Sequence, residues 1–130
     1  MKQEIVIIDD DPIFRMIVSK MIQNIDFSVT ITECENGEIG LTQLEKLKNV
    51  THEIIVLLDI NMPLLNGWEF LDKLKKFESN NLPQLKIYMV SSSTNVKDVL
   101  RINEYPLVSY FLHKPLSKEN LKTIIAGSNS

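Results

Sequence analysis

Ile5-Val6-Ile7-Ile8-Asp9-Asp10-Asp11-Pro12 is the stretch on which the reading of this chain turns. Its first four residues form an unbroken β-branched apolar run, which suits a strand buried on both faces, as strands of parallel sheets are. Acids cut the run. Asp11-Pro12 then offers a helix N-cap followed by proline in the first turn. Ile13, Phe14, Ile17, Val18, Met21, Ile22 and Ile25 recur at helical spacing. They predict one broad apolar stripe laid against the sheet. Strand, acidic turn and helix make the first unit of an alternating α/β chain.

The same unit recurs outward from that stretch. Residues 29–34 alternate weakly and predict a second strand nearer an edge; Asn36-Gly37 is a turn signal, and Ile39, Leu41, Leu44 and Leu47 suggest a second helix. Residues 54–58 form another apolar run, ended by Asp59. Asn61-Met62-Pro63 and Asn66-Gly67 make a turn-rich loop, where the glycine is expected to serve backbone geometry through a positive φ. Trp68, Phe70, Leu71 and Leu74, with Phe77 closing, predict a third helix. Residues 85–90 read as a fourth strand, ended by Ser91-Ser92-Ser93. Val96, Val99, Leu100 and Ile102 make a short helix stopped before Pro106. Residues 107–112 read as a fifth strand, followed by His113-Lys114-Pro115; Leu116, Leu121, Ile124 and Ile125 form a last helix, with 127–130 as a frayed tail. Five strands alternating with five helices call for a parallel sheet covered on both faces.

Composition sets the bounds. The chain has 130 residues, 44% hydrophobic and 24% charged, which suits one folded domain rather than disorder. A net charge of -3 and the lack of a Lys/Arg block leave no electrostatic footprint for nucleic acid or a membrane surface. No apolar stretch approaches the ~20 residues that span a bilayer, and the start lacks the pattern of a signal peptide. A soluble, cytoplasmic protein is expected. Cys34 is the only cysteine, so no internal disulfide forms, and it reads as a small buried hydrophobe. His52 and His113 lack ligand spacing with each other or with Cys34 and read as structural or surface residues. Met16, Met21, Met62 and Met89 read as core or loop filling, and Trp68 as packing the third helix near the loop that follows Asp59.

The chemistry gathers at strand ends. Asp9 and Asp10 follow the first strand, Asp59 the third, Ser91 the fourth and Lys114 the fifth. In an open parallel sheet all carboxyl ends lie on one edge, and ligands bind there, where the strand order reverses. Asp9, Asp10 and Asp59 would repel one another in that crevice. A hard cation such as Mg²⁺, which prefers oxygen ligands, relieves the repulsion. A carboxylate is a competent phosphoryl acceptor. A lysine ammonium and a hydroxyl donor can stabilise the charge on the transferring group. Lys114 and Ser91 supply both.

These motifs resemble response-regulator receiver domains. The resemblance rests on Ile7-Ile8-Asp9-Asp10-Asp11-Pro12, Leu57-Leu58-Asp59-Ile60-Asn61-Met62-Pro63 with Asn66-Gly67, Met89-Val90-Ser91-Ser92 and Phe111-Leu112-His113-Lys114-Pro115, and spans roughly residues 3–126. It implies a flavodoxin-like doubly wound sheet of order 2-1-3-4-5 forming a single domain over 1–130, with no output domain. It implies Asp59 as phosphoacceptor, Asp10 and Asp59 as direct Mg²⁺ ligands, Asp9 as a ligand through water, and the backbone carbonyl of Asn61 as a further ligand. Mn²⁺ would substitute for Mg²⁺. Lys114 would pair with the acceptor and then with the phosphate. Ser91 and Phe111 would move inward as a switch, altering the face built by the fourth helix, fifth strand and fifth helix. Pro115 is the candidate for a cis bond. Asn61 and Ser93 stand where the family tunes phosphate lifetime, and both are small and polar, with no steric shield against water.

The resemblance further implies a signalling domain rather than an enzyme, one that catalyses its own phosphorylation by a histidine kinase, a histidine phosphotransfer protein or small phosphodonors. Its downstream partner would be a protein, and it would be a monomer or a phosphorylation-linked dimer. A phosphorelay intermediate is the alternative within the class. Asp11 is expected to be a helix cap. Phe111 departs from the tyrosine frequent at its position and cannot donate a hydroxyl hydrogen bond. The rival from another class is a small Asp-nucleophile phosphatase of the haloacid-dehalogenase type, but that chemistry wants a second Asp where Asn61 stands. A receiver that never takes phosphate is opposed by the full set of acids, hydroxyl and lysine. A flavodoxin is opposed by the lack of a hydroxyl-rich loop after the first strand.

Overall fold

Consecutive residues of β1 (Gln3–Ile8) go to opposite sides of the sheet, because strand side chains alternate with a period of two. Val6 and Ile8 enter one buried cluster, Ile5 and Ile7 the other. The unbroken apolar run over residues 5–8 is therefore what two covering layers of helix require. The same split runs through β3 (Glu53–Asp59), with Ile54, Val56 and Leu58 on one side and Ile55 and Leu57 on the other.

The computed structural model describes residues 3–76, 84–92 and 95–128. Phe77 and Ser93 lie outside them. Around β1 and β3 the described elements are α1 (Pro12–Ile25), β2 (Thr30–Cys34), α2 (Gly37–Lys46), α3 (Gly67–Lys76), β4 (Leu85–Ser91), α4 (Val96–Arg101) with a 3₁₀ turn Ile102–Glu104, β5 (Val108–His113) and α5 (Lys118–Ser128). All four strand pairings are parallel, in the order β2-β1-β3-β4-β5. This is the flavodoxin-like doubly wound sheet that the alternating pattern and the resemblance implied. One core layer lies between the sheet and α2 and α3, the other beneath α1 and α5. Burying each large aliphatic side chain there contributes about 1.5–3 kcal/mol.

The helix starts follow from capping chemistry. Asp11 accepts from the Ile13 N–H to cap α1, with Pro12 in its first turn. Asn36 accepts from the Ile39 N–H, so Asn36-Gly37 opens α2 rather than marking a free turn. Asn66 and Glu69 exchange bonds at 2.9 Å, each side chain accepting from the other's backbone N–H, a capping box for α3.

Four expectations need correction. The stripe on α1 is wider than the face it buries: Val18 and Ile22 are buried, while Ile13 and Ile17 point to solvent. Met16, read as filling, is exposed beside them. α5 continues to Ser128, past the expected start of the frayed tail. β1 begins at Gln3, because its polar groups are paired: Gln3 Nε2 donates to Glu53 Oε1 and to the Ile125 carbonyl, and Glu4 meets His52 at 3.1 Å. His52 is thus a structural partner at the amino edge of the sheet.

Candidate functional site

Register carries the polar strand ends together. Ile8 lies opposite Leu58, Asp59 opposite Val90, and Ser91 opposite His113. Asp9, Asp59, Ser91 and Lys114 therefore line one edge of four adjacent strands. The strand order reverses between β1 and β3, which opens the crevice there.

Three carboxylates share that crevice. Side-chain oxygens of Asp9, Asp10 and Asp59 all lie within 4.8 Å of one another. Asp9 is 1% exposed and Asp59 4%, whereas Asp10 is open to solvent. Burial, followed by the negative charge of Asp9, pushes the Asp59 carboxyl up to about 7; Lys114 and the backbone N–H of Asn61 act against the rise. An oxygen-only cluster with more negative charge than one lysine offsets fits a hard divalent cation.

Lys114 Nζ lies 2.7 Å from Asp9 Oδ2 and 3.6 Å from Asp59 Oδ1. The resemblance paired this lysine with the acceptor; here it sits closer to Asp9. The Phe14 ring, 4.3 Å from the ammonium, holds it on the α1 side. Although desolvation works against the charge, the hydrogen bond the ammonium donates to Asp9 and the field of Asp59 raise the lysine's pKa overall.

Ser91 is fully buried. Its hydroxyl accepts from Asn61 Nδ2 at 3.4 Å, and its carbonyl accepts from the Lys114 N–H at 3.0 Å. Phe111 is partly buried against the α2–α3 layer, with its ring edge-on to His113 at 5.3 Å. The Lys114–Pro115 peptide bond is cis. Asp11 is engaged as the cap of α1.

Gly67 is needed for a reason other than the one expected. No described glycine has a positive φ; the left-handed residue in this loop is Leu64, at 71°. A Cβ on Gly67 would stand 2.7 Å from the Asp59 carbonyl oxygen. The first turn of α3 is thus seated directly on the backbone of Asp59, tied by the Gly67 N–H to the Ile60 carbonyl at 2.8 Å. Trp68 is buried in the next position, its ring 5.3 Å from that of Tyr105.

A family model described as response regulator receiver domain matches residues 5–126. The chain belongs to the response regulator receiver family. This receiver domain is 32% identical over 117 residues to the nitrate/nitrite response regulator protein NarL of Escherichia coli K12, covering 90% of this chain and 50% of the relative. It is 31% identical over 121 residues to the sensor histidine kinase CheAY of Helicobacter pylori, covering 93% of this chain and 14% of the relative. The chain thus spans half or less of the length of these curated relatives. A crystal structure of a two-component response regulator from Cytophaga hutchinsonii superposes with a TM-score of 0.87 at 26% identity, over 98% of this chain and 96% of the other. Receiver domains are signalling domains that work with histidine kinases or phosphotransfer proteins. No helix among the described residues is long and apolar enough to cross a membrane.

Two residues at the site carried no signal in the sequence. Phe14 read only as part of the α1 stripe, yet its ring faces Lys114. Arg15 donates to the Asp9 carbonyl. Both contacts depend on how α1 folds back over the strand ends. Ser93, expected to tune phosphate lifetime, lies outside the described residues.

Proposed function

We propose that the receiver domain accepts a phosphoryl group on Asp59 from the phosphohistidine of a kinase or phosphotransfer protein. The observation that carries this reading is the buried Asp59 carboxyl within 4.8 Å of Asp9 and Asp10 and 3.6 Å from Lys114. Asp59 supplies the nucleophilic oxygen: the O–P bond forms, the N–P bond of the phosphohistidine breaks, and the histidine nitrogen leaves with the bonding pair. Lys114 and the Ser91 hydroxyl offset charge on the phosphoryl oxygens. Asp10, Asp59 and the Asn61 carbonyl would hold Mg²⁺ or Mn²⁺ directly, with Asp9 acting through water. When bound, the cation supplies positive charge to the transferring oxygens. Lys114, with three donors, would share its ammonium between Asp9 and the phosphate.

The phosphate would then bias a two-state equilibrium. Ser91 and Phe111 would turn inward, changing the face built by α4, β5 and α5 for a downstream protein. Asn61 and Ser93 would set how fast water removes the phosphate.

Incubation with Mg²⁺ and acetyl phosphate, followed by intact mass, tests the reading. A gain of one phosphoryl group on the wild type and none on Asp59→Asn is expected. No gain, together with no binding of a beryllium fluoride adduct, would overturn it. Steady phosphate release from unrelated phosphoesters would favour the phosphatase instead.

A further inference from the structure

Asp9 is held from several sides, by three hydrogen bonds and one ion pair. Its N–H donates to the Cys34 carbonyl at 3.0 Å, Oδ1 accepts from the Asp11 N–H at 2.9 Å, and Oδ2 meets Lys114. Its carbonyl accepts from Arg15 Nη1 at 2.6 Å. Arg15 Nε in turn donates to Glu33 Oε1 at 3.2 Å, and the other Glu33 oxygen accepts from the Ser19 hydroxyl at 3.2 Å. The arginine side chain is 13% exposed. Its planar fork therefore spans from β2 to the loop after β1, a reach that needs two donors in fixed geometry.

The Asp9 carbonyl lies in the plane of the Asp9–Asp10 peptide. Fixing that oxygen restrains the plane, and with it the Asp10 N–Cα bond on which that side chain is mounted. Asp10 needs this, because it is the one acid of the cluster that packing does not confine.

We propose that Arg15, braced by Glu33, is a positioning residue that turns the Asp10 carboxylate toward Asp9 and Asp59 to complete a divalent-cation site. The inference rests on reading the cluster as such a site. Charge alone demands the opposite: a guanidinium beside three carboxylates weakens cation binding, and removing it strengthens that binding. The sign of the effect therefore separates the two roles.

Mn²⁺ titration of the full chain, followed by electron paramagnetic resonance, reads that sign. Arg15→Met is expected to weaken Mn²⁺ binding about tenfold, the lower end for a residue that orients a ligand. Arg15→Lys keeps the charge but loses the fork, and is expected to weaken binding by a smaller factor. It carries the test should Arg15→Met not fold. Lys20→Met, an exposed charge on the same helix, is expected to leave binding unchanged or slightly tighter. In an Asp10→Asn background, Arg15→Met is expected to cost nothing more. Wild-type affinity or tighter in Arg15→Met, or in Arg15→Lys where the first variant fails to fold, would overturn the inference. A full cost in the Asp10→Asn background would do the same. A wild type that binds no Mn²⁺ would instead overturn the cation reading on which the inference rests.

Discussion

On the proposed reading, a proton and a cation would compete at Asp59 for one carboxylate. Burial and Asp9 push its pKa to about 7, so a fraction of this carboxyl is protonated at neutral pH. A metal takes the ionised form, and its binding releases the proton. Apparent Mn²⁺ affinity is therefore expected to fall about tenfold per pH unit below about pH 7 and to level off above it. Asp59→Asn is expected to bind more weakly and to lose this slope; the same slope in both proteins would assign the titration to another group. Gly67 tests the backbone of the same residue. A methyl group there meets the Asp59 carbonyl at 2.7 Å, a main-chain atom that cannot rotate away. Gly67→Ala is expected to cost about 1–3 kcal/mol, read by urea denaturation. The sequence marked Asn66-Gly67 as special but pointed to a positive φ. The close approach behind it depends on where α3 docks, which no local pattern encodes.

Among the elements, α4 is the least anchored. Its six residues include none that is buried, and Val96 and Leu100 are exposed. It is tied to α3 by rings and charges: the Arg101 guanidinium lies 4.8 Å from the Trp68 ring, Trp68 packs on Tyr105, and the Tyr105 hydroxyl donates to Asp72 at 3.0 Å. An element with few buried apolar contacts opens locally at low cost. The amides of α4 are expected to exchange with deuterium faster than those of α3. Arg101→Ala removes a cation–π contact of about 0.5–1 kcal/mol and is expected to speed α4 exchange about two- to fivefold while leaving α3 unchanged. Equal protection of the two helices would contradict this. The sequence showed α4 as a short helix stopped before Pro106, but its link to Trp68 joins residues far apart in the chain. For α1 the limit lay elsewhere: periodicity found the helix and overstated its buried face, since Ile13 and Ile17 continue the stripe without reaching the sheet.

For the whole molecule, the apolar runs at β1, β3 and β4 declared a sheet buried on both sides, and the acids, serine and lysine at the strand ends declared where its ligand edge lies. The pairing of Lys114 with Asp9, and of Arg15 with Asp9 and Glu33, was not legible, because each contact joins elements that only the completed sheet brings together. Assembling that edge has a thermodynamic cost. The Asp59 carboxyl is raised from an ordinary 3.8 to about 7 on folding. Between those values the folded protein binds the proton and the unfolded chain does not. The contribution of Asp59 to stability therefore falls as pH rises through this window and is constant above it. Asp59→Asn removes the buried charge. Its melting temperature is expected to exceed that of the wild type by a margin that grows from about pH 4 to about pH 7 and then holds. On the proposed reading Mg²⁺ would bind the folded state, so it is expected to raise the wild-type melting temperature above pH 7 by more than it raises that of Asp59→Asn, and chelation is expected to reverse the gain. Thermal melts across pH, with and without Mg²⁺, read both effects. A margin that shrank toward neutral pH would mean that Asp59 is stabilised as the anion by Lys114. It would then be the ammonium, rather than a cation from solution, that neutralises Asp59 in the resting protein.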